Sequence, residues 1–443
     1  MKWILAGVAA IFFLGQSNRG LWLPDEPRDA EIAREMAVSG DFVVPTLNGE
    51  PFLEKPPLSY ATAATALRIW PGRPETAVRI PSALFCLGTM ACTAWMGWRL
   101  MGLETGLLAA ALLGTSWEFL QIGHTCLVDA GLLCWTALAM AAGLDRKWLL
   151  SGFAMGLAFL SKGPIGIILP GAALGSWMLW ERRGEIPKAL GWTVLGILPA
   201  GLWLWALHQR GTAWDAYWGD QFRRTGSRVE HAAPFHAYLG YLFEGFAPWC
   251  VLLPFLAWKL WKLRMSGIPL SLRLPLSWFL LSLILLSLVS SKRGLYLVPA
   301  YPALALMLAA VFQGAWMRRA LVVVVLVCAL VWGGWKPRQD ARYNLGAVVM
   351  EAPLAGMGLS EPVRGAVAFR LGRTIPTLKD TAAVADWISR GNTALIQSQV
   401  GGTPEGLEAG LRKDRALAAG FEILQRENIR REVLVWVAKR RVP

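Results

Sequence analysis

The chain has 443 residues, of which 55% are hydrophobic and only 17% charged, and its mean hydropathy is +0.42. An ordinary soluble domain carries about 25% charged residues, so these values exclude a plain soluble enzyme, a disordered chain and a small disulfide scaffold. The formal charge is +14, and in a membrane chain such a charge first reports topology, because Lys and Arg gather in cytoplasmic turns.

Met1-Lys2 open an apolar run over 3–15. It has the outline of a signal peptide, but no Ala-x-Ala site follows, and it reads as an uncleaved first span. Further apolar runs cover 77–98, 103–117, 126–144, 148–160, 164–180, 189–207, 246–260, 274–290, 295–316 and 320–335. The half-apolar stretch 57–70 reads as one more membrane or interfacial helix. With Lys2 inside, alternate span ends carry Arg99, Arg146-Lys147, Arg182-Arg183-Lys188, Lys259-Lys262-Arg264-Arg273 and Arg318-Arg319. Every one of these short turns is basic, as cytoplasmic turns are. The longer polar segments 16–60, 117–125, 161–163, 208–245 and 290–294 then fall on the other side, and an odd number of spans sends the tail there too. The expected fold is a polytopic α-helical membrane protein of about eleven to thirteen transmembrane helices. Its membrane domain covers 1–335, and a small α/β domain follows over 336–443. Within the tail, strands are expected at 365–369, 393–397 and 433–439 and helices at 380–390 and 412–420. A terminal hairpin is expected to pair 422–425 with 432–438 around Glu427-Asn428.

The six cysteines, Cys86, Cys92, Cys126, Cys134, Cys250 and Cys328, form no Cys-x-x-Cys pair, and most lie in apolar runs, where Cys behaves as a small hydrophobe. The 24 tryptophans include Trp3, Trp98, Trp148 and Trp180 at span ends, where aromatic belts form; others are candidates for lining a cavity.

Polar residues are dense in the segments assigned to the outer side, and such loops carry function more often than the scaffold does. The first reads Asp25-Glu26-Pro27-Arg28-Asp29-Ala30-Glu31. Pro27 suits a first helical turn, so Asp25 and Glu26 stand at a helix N-terminus just past the first span. They serve there either as cap and dipole partners or, beside Arg28 at a membrane mouth, as catalytic acids. The same segment ends in Glu54-Lys55-Pro56-Pro57, a stiff turn whose lysine either snorkels or meets a lipid phosphate. Asp129 lies at the outer end of a span, where an acid is functional or paired. Lys162 sits in the tight break Ser161-Lys162-Gly163. Lys292, Arg293 and Tyr296 lie at an outer span end, against the positive-inside trend, and so need a phosphate or an acid as partner.

In this order, Asp25-Glu26-x-Arg28-x-Ala30-Glu31, Glu54-Lys55-Pro56, Asp129, Leu160-Ser161-Lys162-Gly163 and Lys292-Arg293-Gly294-Leu295-Tyr296 resemble one family. It is the polytopic glycosyltransferases of the C-type fold, related to protein O-mannosyltransferases. The likeness is strongest to bacterial enzymes that move 4-amino-4-deoxyarabinose from undecaprenyl phosphate to lipid A. It covers roughly residues 1–320.

The resemblance implies a polyprenyl-phosphate sugar donor, an acceptor such as lipid A or a protein hydroxyl, transfer on the periplasmic face of the bacterial inner membrane, and no nucleotide cofactor. It implies that Asp25 is the main catalytic acid and Asp129 a second one; Glu26, beside Asp25, is a further candidate from its position alone. It places Arg28, Lys55 and Tyr296 on the lipid phosphate; Lys162, Lys292 and Arg293, the other cations of the outer face, are expected to join them. It also makes Glu54 and His231 a pair that fits two ligands of a divalent metal ion, against the plainer reading of a solvated loop histidine. The chain departs from the family at Asp29, where Tyr is common, and at Arg293-Gly294-Leu295, where Leu-Pro-Thr is usual. These departures bear on the sugar and acceptor. The competing readings are a transporter or flippase of a lipid-linked sugar and a partner protein that kept the fold without the chemistry. Nucleic acid is not an expected partner, because the basic residues form no stripe and no binding motif is present.

Overall fold

The computed structural model describes residues 1–17, 19–211, 214–219, 231–340, 353–397, 404–414, 417, 421–429 and 432–438. All of the apolar runs contain helix. In chain order the helices are α1 (Lys2–Ile11), α2 (Asp25–Ser39), α3 (Leu58–Ile69), α4 (Pro74–Met101), α5 (Leu103–Gly114), α6 (Trp117–Gly123), α7 (Val128–Leu144), α8 (Trp148–Lys162), α9 (Ile165–Glu181), α10 (Ile186–Gly196) and α11 (Leu198–His208). Beyond residue 236 come α12 (Ala237–Gly245), α13 (Leu253–Ser266), α14 (Leu270–Leu288), α15 (Tyr301–Val311) and α16 (Ala315–Leu330).

Among the described residues, four helical stretches are long and apolar enough to cross a membrane singly: Pro74–Met101, Leu270–Leu288, Gly294–Val311 and Ala315–Arg338. Two bent pairs, α6 with α7 at 112° and Arg183–Gly196 with α11 at 41°, bring the number to six. The remaining apolar helices, α1, α5, α8 and α9, hold 10–17 residues each. At 1.5 Å per residue they reach roughly 15–26 Å, short of a hydrocarbon core of about 30 Å. The apolar runs are thus spread over helices of unequal length. Close packing inside the bundle rests on small residues, as it does where lipid supplies no hydrophobic drive. A Cβ on Gly97 of α4 would stand 2.5 Å from the Cα of Gly106 in α5, so this crossing needs glycine on both sides.

Four expectations change in detail. Segment 117–125, expected as a loop, is largely α6, and its bend into α7 puts Asp129 in the first turn of the next helix. Run 189–207 is two helices that meet at Ile197. Run 295–316 begins with a 3-10 stretch, Gly294–Ala300, ahead of α15. Run 3–15 is helical only to Ile11, after which turns carry the chain to Gly15 at φ +64°.

The C-terminal part is a five-stranded sheet, order β4-β3-β5-β7-β6. Its strands are β3 (Leu354–Met357), β4 (Thr377–Leu378), β5 (Thr393–Gln397), β6 (Glu422–Ile429) and β7 (Glu432–Ala438); an earlier two-residue pair, β1 (Thr46–Leu47) and β2 (Glu50–Pro51), closes the loop before Glu54. Strand β3 runs parallel to β4 and β5, whereas β7 is antiparallel to β5 and β6. The expected hairpin forms, but β6 continues through Glu427-Asn428 to Ile429, so the expected turn residues lie inside the strand. The strand expected at 365–369 is instead the middle of α17 (Glu361–Leu371). Pro362 in its first turn and Gly372 in the left-handed region at its end bound it as a helix, and the buried Val363, Ala366, Val367 and Phe369 follow helical spacing. Helix α18 (Thr381–Ser389), capped by the Asp380 carboxylate on the Ala383 amide, matches expectation. The helix expected at 412–420 is α19 (Pro404–Lys413), which ends near where it was expected to begin; residues 415, 416 and 418–420 lie outside the described set.

The C-terminal part is not a separate body hung from the membrane. Helix α17 packs along α2, with Phe369 buried among Ala30, Ile32 and Ala33. Leu23 is buried with Leu354, Val363, Val367 and Leu395. Arg34 of α2 donates to the Gly372 carbonyl at 3.0 Å. The helix that begins with Asp25 is held on one side by the tail and on the other by the bundle.

Candidate active site

Helix α2 starts at Asp25, and its first turn sets the site. Helical spacing puts Asp25, Arg28 and Asp29 on one face. The positive end of the helix dipole favours the two acids of the first turn. Asp25 is held at both oxygens: Oδ1 accepts from Arg28 Nη2 at 3.1 Å and Oδ2 accepts from Arg293 Nη2 at 2.6 Å. Arg293 arrives from a position 268 residues later, in the extended link between α14 and the 3-10 stretch. Burial by itself would raise the Asp25 carboxyl; the Arg293 hydrogen bond and the charges of Arg293, Lys55 and Arg28 outweigh it and hold the group below the ordinary aspartate value. Arg28 and Arg293 likewise stay fully charged, since burial, which opposes their charge, is outweighed by Asp29 and Asp25 for the first and by Asp25 for the second.

A second acid lies one step deeper. Asp29, 1% exposed, faces Arg28 Nε at 3.6 Å and Lys55 Nζ at 3.7 Å. Tyr60 of α3 donates its hydroxyl to Asp29 Oδ1 at 3.5 Å. Burial dominates this carboxyl and lifts it above the ordinary aspartate value against the pull of Lys55 and Arg28. Glu54, on the turn that carries Lys55, reaches Arg28 Nη1 at 3.7 Å.

The third group is Asp129, Lys162 and Tyr296. Lys162, at the last position of α8, forms a short ion pair with Asp129 in the first turn of α7. Its ammonium also stands 4.6 Å from the centre of the Tyr296 ring. The tight break expected at 161–163 is present, with Gly163 at φ +80° ending α8. Arg293 lies within electrostatic reach of both Asp129 and Tyr296, which ties this group to Asp25.

Glu26 points away from this face. Its carboxylate is buried against Arg79 of α4, with Oε1 2.6 Å from Nε and Oε2 3.1 Å from Nη2. It also accepts from the backbone amides of Trp22 at 2.5 Å and Cys126 at 3.0 Å. Arg79 spends its other donors on the carbonyls of Gln16, Arg19 and Gly20. Burial would raise the Glu26 carboxyl, but Arg79 overrides it and keeps the group ionised. Lys292 also turns away: it is 4% exposed and donates to the Val289 carbonyl at 2.5 Å, while its own amide donates to the His231 carbonyl at 3.0 Å.

Of the residues expected from sequence, Asp25, Arg28, Glu54, Lys55 and Arg293 come together, and Asp129, Lys162 and Tyr296 form the adjoining group. Glu26 and Lys292 face other partners. His231 sits in a left-handed turn at φ 58°; its neighbour Glu230 lies outside the described residues. No group of three or more metal-ligating side chains occurs among the described residues. Glu54 and His231 alone fall short of the four-coordinate donor set that zinc takes.

Sequence reasoning missed three participants. Asp29 was legible only as a departure, although its i,i+4 spacing from Asp25 put it on the same face. Tyr60 lay in a half-apolar stretch. Arg79 had a usable signal, a single arginine near the start of an apolar helix, where a charge is costly unless it is paired.

Comparison with known proteins gives the same picture. A family model described as dolichyl-phosphate-mannose-protein mannosyltransferase matches residues 54–205. The undecaprenyl phosphate-alpha-4-amino-4-deoxy-L-arabinose arabinosyl transferase of Erwinia tasmaniensis is 30% identical over 408 residues, covering 83% of this chain and 73% of its own. The corresponding transferase 1 of Pseudomonas fluorescens is 32% identical over 330 residues, covering 69% of this chain and 57% of its own. The chain thus spans somewhat over half to about three quarters of the length of these relatives. The crystal structure of ArnT from Cupriavidus metallidurans bound to undecaprenyl phosphate superposes with a TM-score of 0.75 at 19% identity, over 98% of this chain and 97% of that one, and shows the same polytopic fold. The apolar helices and these relatives make the chain a multi-pass protein of the bacterial inner membrane. On identity and coverage together, it belongs to the glycosyltransferase family of the undecaprenyl phosphate-aminoarabinose arabinosyl transferases.

Proposed function

We propose that this protein transfers an aminoarabinose-type pentose from undecaprenyl phosphate to an envelope acceptor, with lipid A the acceptor that the relatives' names favour. The observation that carries the reading is the cluster around Asp25: one carboxylate braced by two arginines, with Lys55 and Lys162 alongside. The charge pattern of the turns supports a cytoplasmic N-terminus, with the cluster and the C-terminal domain on the periplasmic side. The chemistry supports 1–335 as the membrane domain and the sheet-bearing tail as its outer cover.

A polyprenyl phosphate leaves readily once its charge is met by cations. Arg28, Lys55 and Arg293 are the groups placed to meet it, and fixed cations in a partly buried site stabilise charge that develops as the glycosidic bond breaks. Lys162, over Tyr296, extends this cationic wall toward Asp129. In the free protein Asp25 is a weak base, because two arginines stabilise its charged form. A donor phosphate that draws Arg28 and Arg293 to itself would free Asp25 and raise its basicity where a hydroxyl acceptor must lose a proton. A phosphate acceptor is already ionised and needs only orientation. One displacement inverts the anomeric centre. Glu26 and Lys292 are assigned to holding the site's frame. The family likeness suggests a divalent metal near Glu54 and His231, but the two donors seen do not complete a site, and the steps proposed here use cations and carboxylates of the chain.

The test is reconstitution of the full chain in liposomes with undecaprenyl-phosphate aminoarabinose and lipid A, read by mass spectrometry of the acceptor. The pentose mass increment with wild type, lost with Asp25→Asn, supports the reading. Movement of the glycolipid across the bilayer with no acceptor modified would replace it with a flippase.

A further inference from the structure

A cavity of about 340 Å³ opens at the end of the bundle opposite the Asp25 cluster. Met101, which lines it, is the last residue of α4; Arg79, which grips Glu26, lies near the first. The 22 helical steps from Arg79 to Met101 span about 33 Å, the thickness of a bilayer's hydrocarbon core. On the orientation proposed above, the cavity faces the cytoplasmic surface.

The lining divides by chemistry. Met101, Leu263, Leu272 and Val311 make apolar walls, whereas Lys259 and Ser271 supply polar donors. Lys259 is the one charged residue in the lining. Gln313 also lines it, but both of its amide donor contacts are internal, to Thr105 Oγ1 and the Ala309 carbonyl, each at 3.1 Å. The surrounding charge is unbalanced. Glu104 is paired with Arg318 at 3.3 Å and Glu181 with Arg273 at 3.8 Å. Lys259, Lys262 and Arg264 of α13 have no carboxylate partner among the described residues. Lys262 stacks on Trp258 and Arg264 on Trp261, with the cations 3.9 and 3.6 Å from the ring centres. Trp258 and Trp261 are 52% and 61% exposed. A helix that presents exposed tryptophans and unpaired cations is built for the headgroup layer.

We propose that this cavity binds the headgroup of an anionic phospholipid, with the phosphate on Lys259 and Ser271 and the first acyl carbons against Leu263, Leu272 and Val311. A cavity of this volume holds a glycerophosphate headgroup; the acyl chains continue into the bilayer. A free phosphate would satisfy Lys259 but leave the apolar walls in water, which favours the lipid. The site is remote from the sugar-transfer cluster and needs none of its residues.

The experiment is native mass spectrometry of the full chain released from mixed micelles of phosphatidylglycerol and phosphatidylcholine, with thermal unfolding in detergent as the check on folding. The expected result is a retained phosphatidylglycerol adduct, a fall in its occupancy of about fivefold for Lys259→Gln, as one lysine near a membrane surface is worth, and recovery with Lys259→Arg. Arg99→Gln, a cation paired with Asp145 at the same end of α4, should leave the adduct unchanged. Equal retention of phosphatidylcholine, or no change with Lys259→Gln, overturns the proposal. So does an equal fall with Arg99→Gln, which would mean diffuse attraction. Displacement of the adduct by millimolar inorganic phosphate would assign the site to free phosphate instead.

Discussion

Gly365 of α17 lies directly against Pro27 and Arg28 of α2: a Cβ on Gly365 would stand 3.2 Å from the Pro27 carbonyl oxygen and 3.3 Å from the Arg28 Cα. The tail therefore touches the backbone of the turn that carries Asp25 and Arg28. A methyl group there needs a shift of a few tenths of an ångström, and a larger side chain needs more. Gly365→Ala should fold well, because alanine gains up to about 1 kcal/mol of helix propensity over glycine, and should slow transfer only mildly. Gly365→Leu should lower transfer by ten- to a hundredfold, the scale of cost for an ångström of misplacement, while the chain still inserts in the membrane. Donor-saturated turnover of the two variants in liposomes checks this. If Gly365→Leu turned over like wild type, the tail would be no more than a cover.

The Glu26–Arg79 pair fastens three segments: the loop after α1, the start of α4, and the α6–α7 bend through the Cys126 amide. Removing one partner of a fully buried pair costs about 3–5 kcal/mol, because the other charge is left without compensation. Arg79→Met and Glu26→Gln should each lower the thermal unfolding midpoint in detergent. The double substitution should lose less than the sum of the two, since no lone charge remains. Additive losses would mean that the two residues do not act as a pair.

Why Asp25 was legible and its clamp by Arg293 was not follows from range. Asp25, Arg28 and Pro27 declare a helix start within four residues of sequence, and the basic turns repeat along the chain, so both local chemistry and span order could be read directly. The partner of Asp25, Arg293, was visible as a misplaced cation but not as that carboxylate's clamp, because 268 residues separate them. Adjacent lysine and arginine at 292 and 293 looked equivalent in sequence. The turn of the chain sends one to a backbone carbonyl and the other to Asp25. The strand expected at 365–369 failed for a related reason: Val367 and Phe369 favour strands in isolation, but their burial against α2 and the ends set by Pro362 and Gly372 decide for helix.

Asp25 should govern the acid side of the pH profile. Its carboxyl is held below the ordinary value, so the charged form persists into more acid solution than for a free aspartate, whose pKa is about 3.9. The ion pairs to Arg28 and Arg293 add stability that is present above the unfolded value and is lost as pH falls through the depressed folded one. Arg293→Gln removes the hydrogen bond that lowers this carboxyl most. The acid limb of kcat/KM, which reports the free enzyme, should move to higher pH in that variant. An unmoved limb would show that another group controls it.

The Lys162–Asp129 pair raises a sharper question, because both residues have a structural use and a chemical one. If Lys162 serves only to neutralise Asp129, then Lys162→Met should lower stability, Asp129→Asn should relieve the loss, and the double variant should bind donor normally. If Lys162 also meets the donor phosphate, from its place over Tyr296, the donor KM should rise about tenfold in both the single Lys162→Met variant and the double one, at the roughly 1.4 kcal/mol that a charge-assisted contact to phosphate supplies. The double-mutant cycle on stability and the donor KM therefore separate the two roles: coupling in the first with a normal KM in the double variant confines Lys162 to the frame. We expect coupling in stability of about 0.5–3 kcal/mol together with the raised KM, since the pair is partly open, at 15% and 7% exposure, and a phosphate at that mouth can share the lysine without displacing it from Asp129.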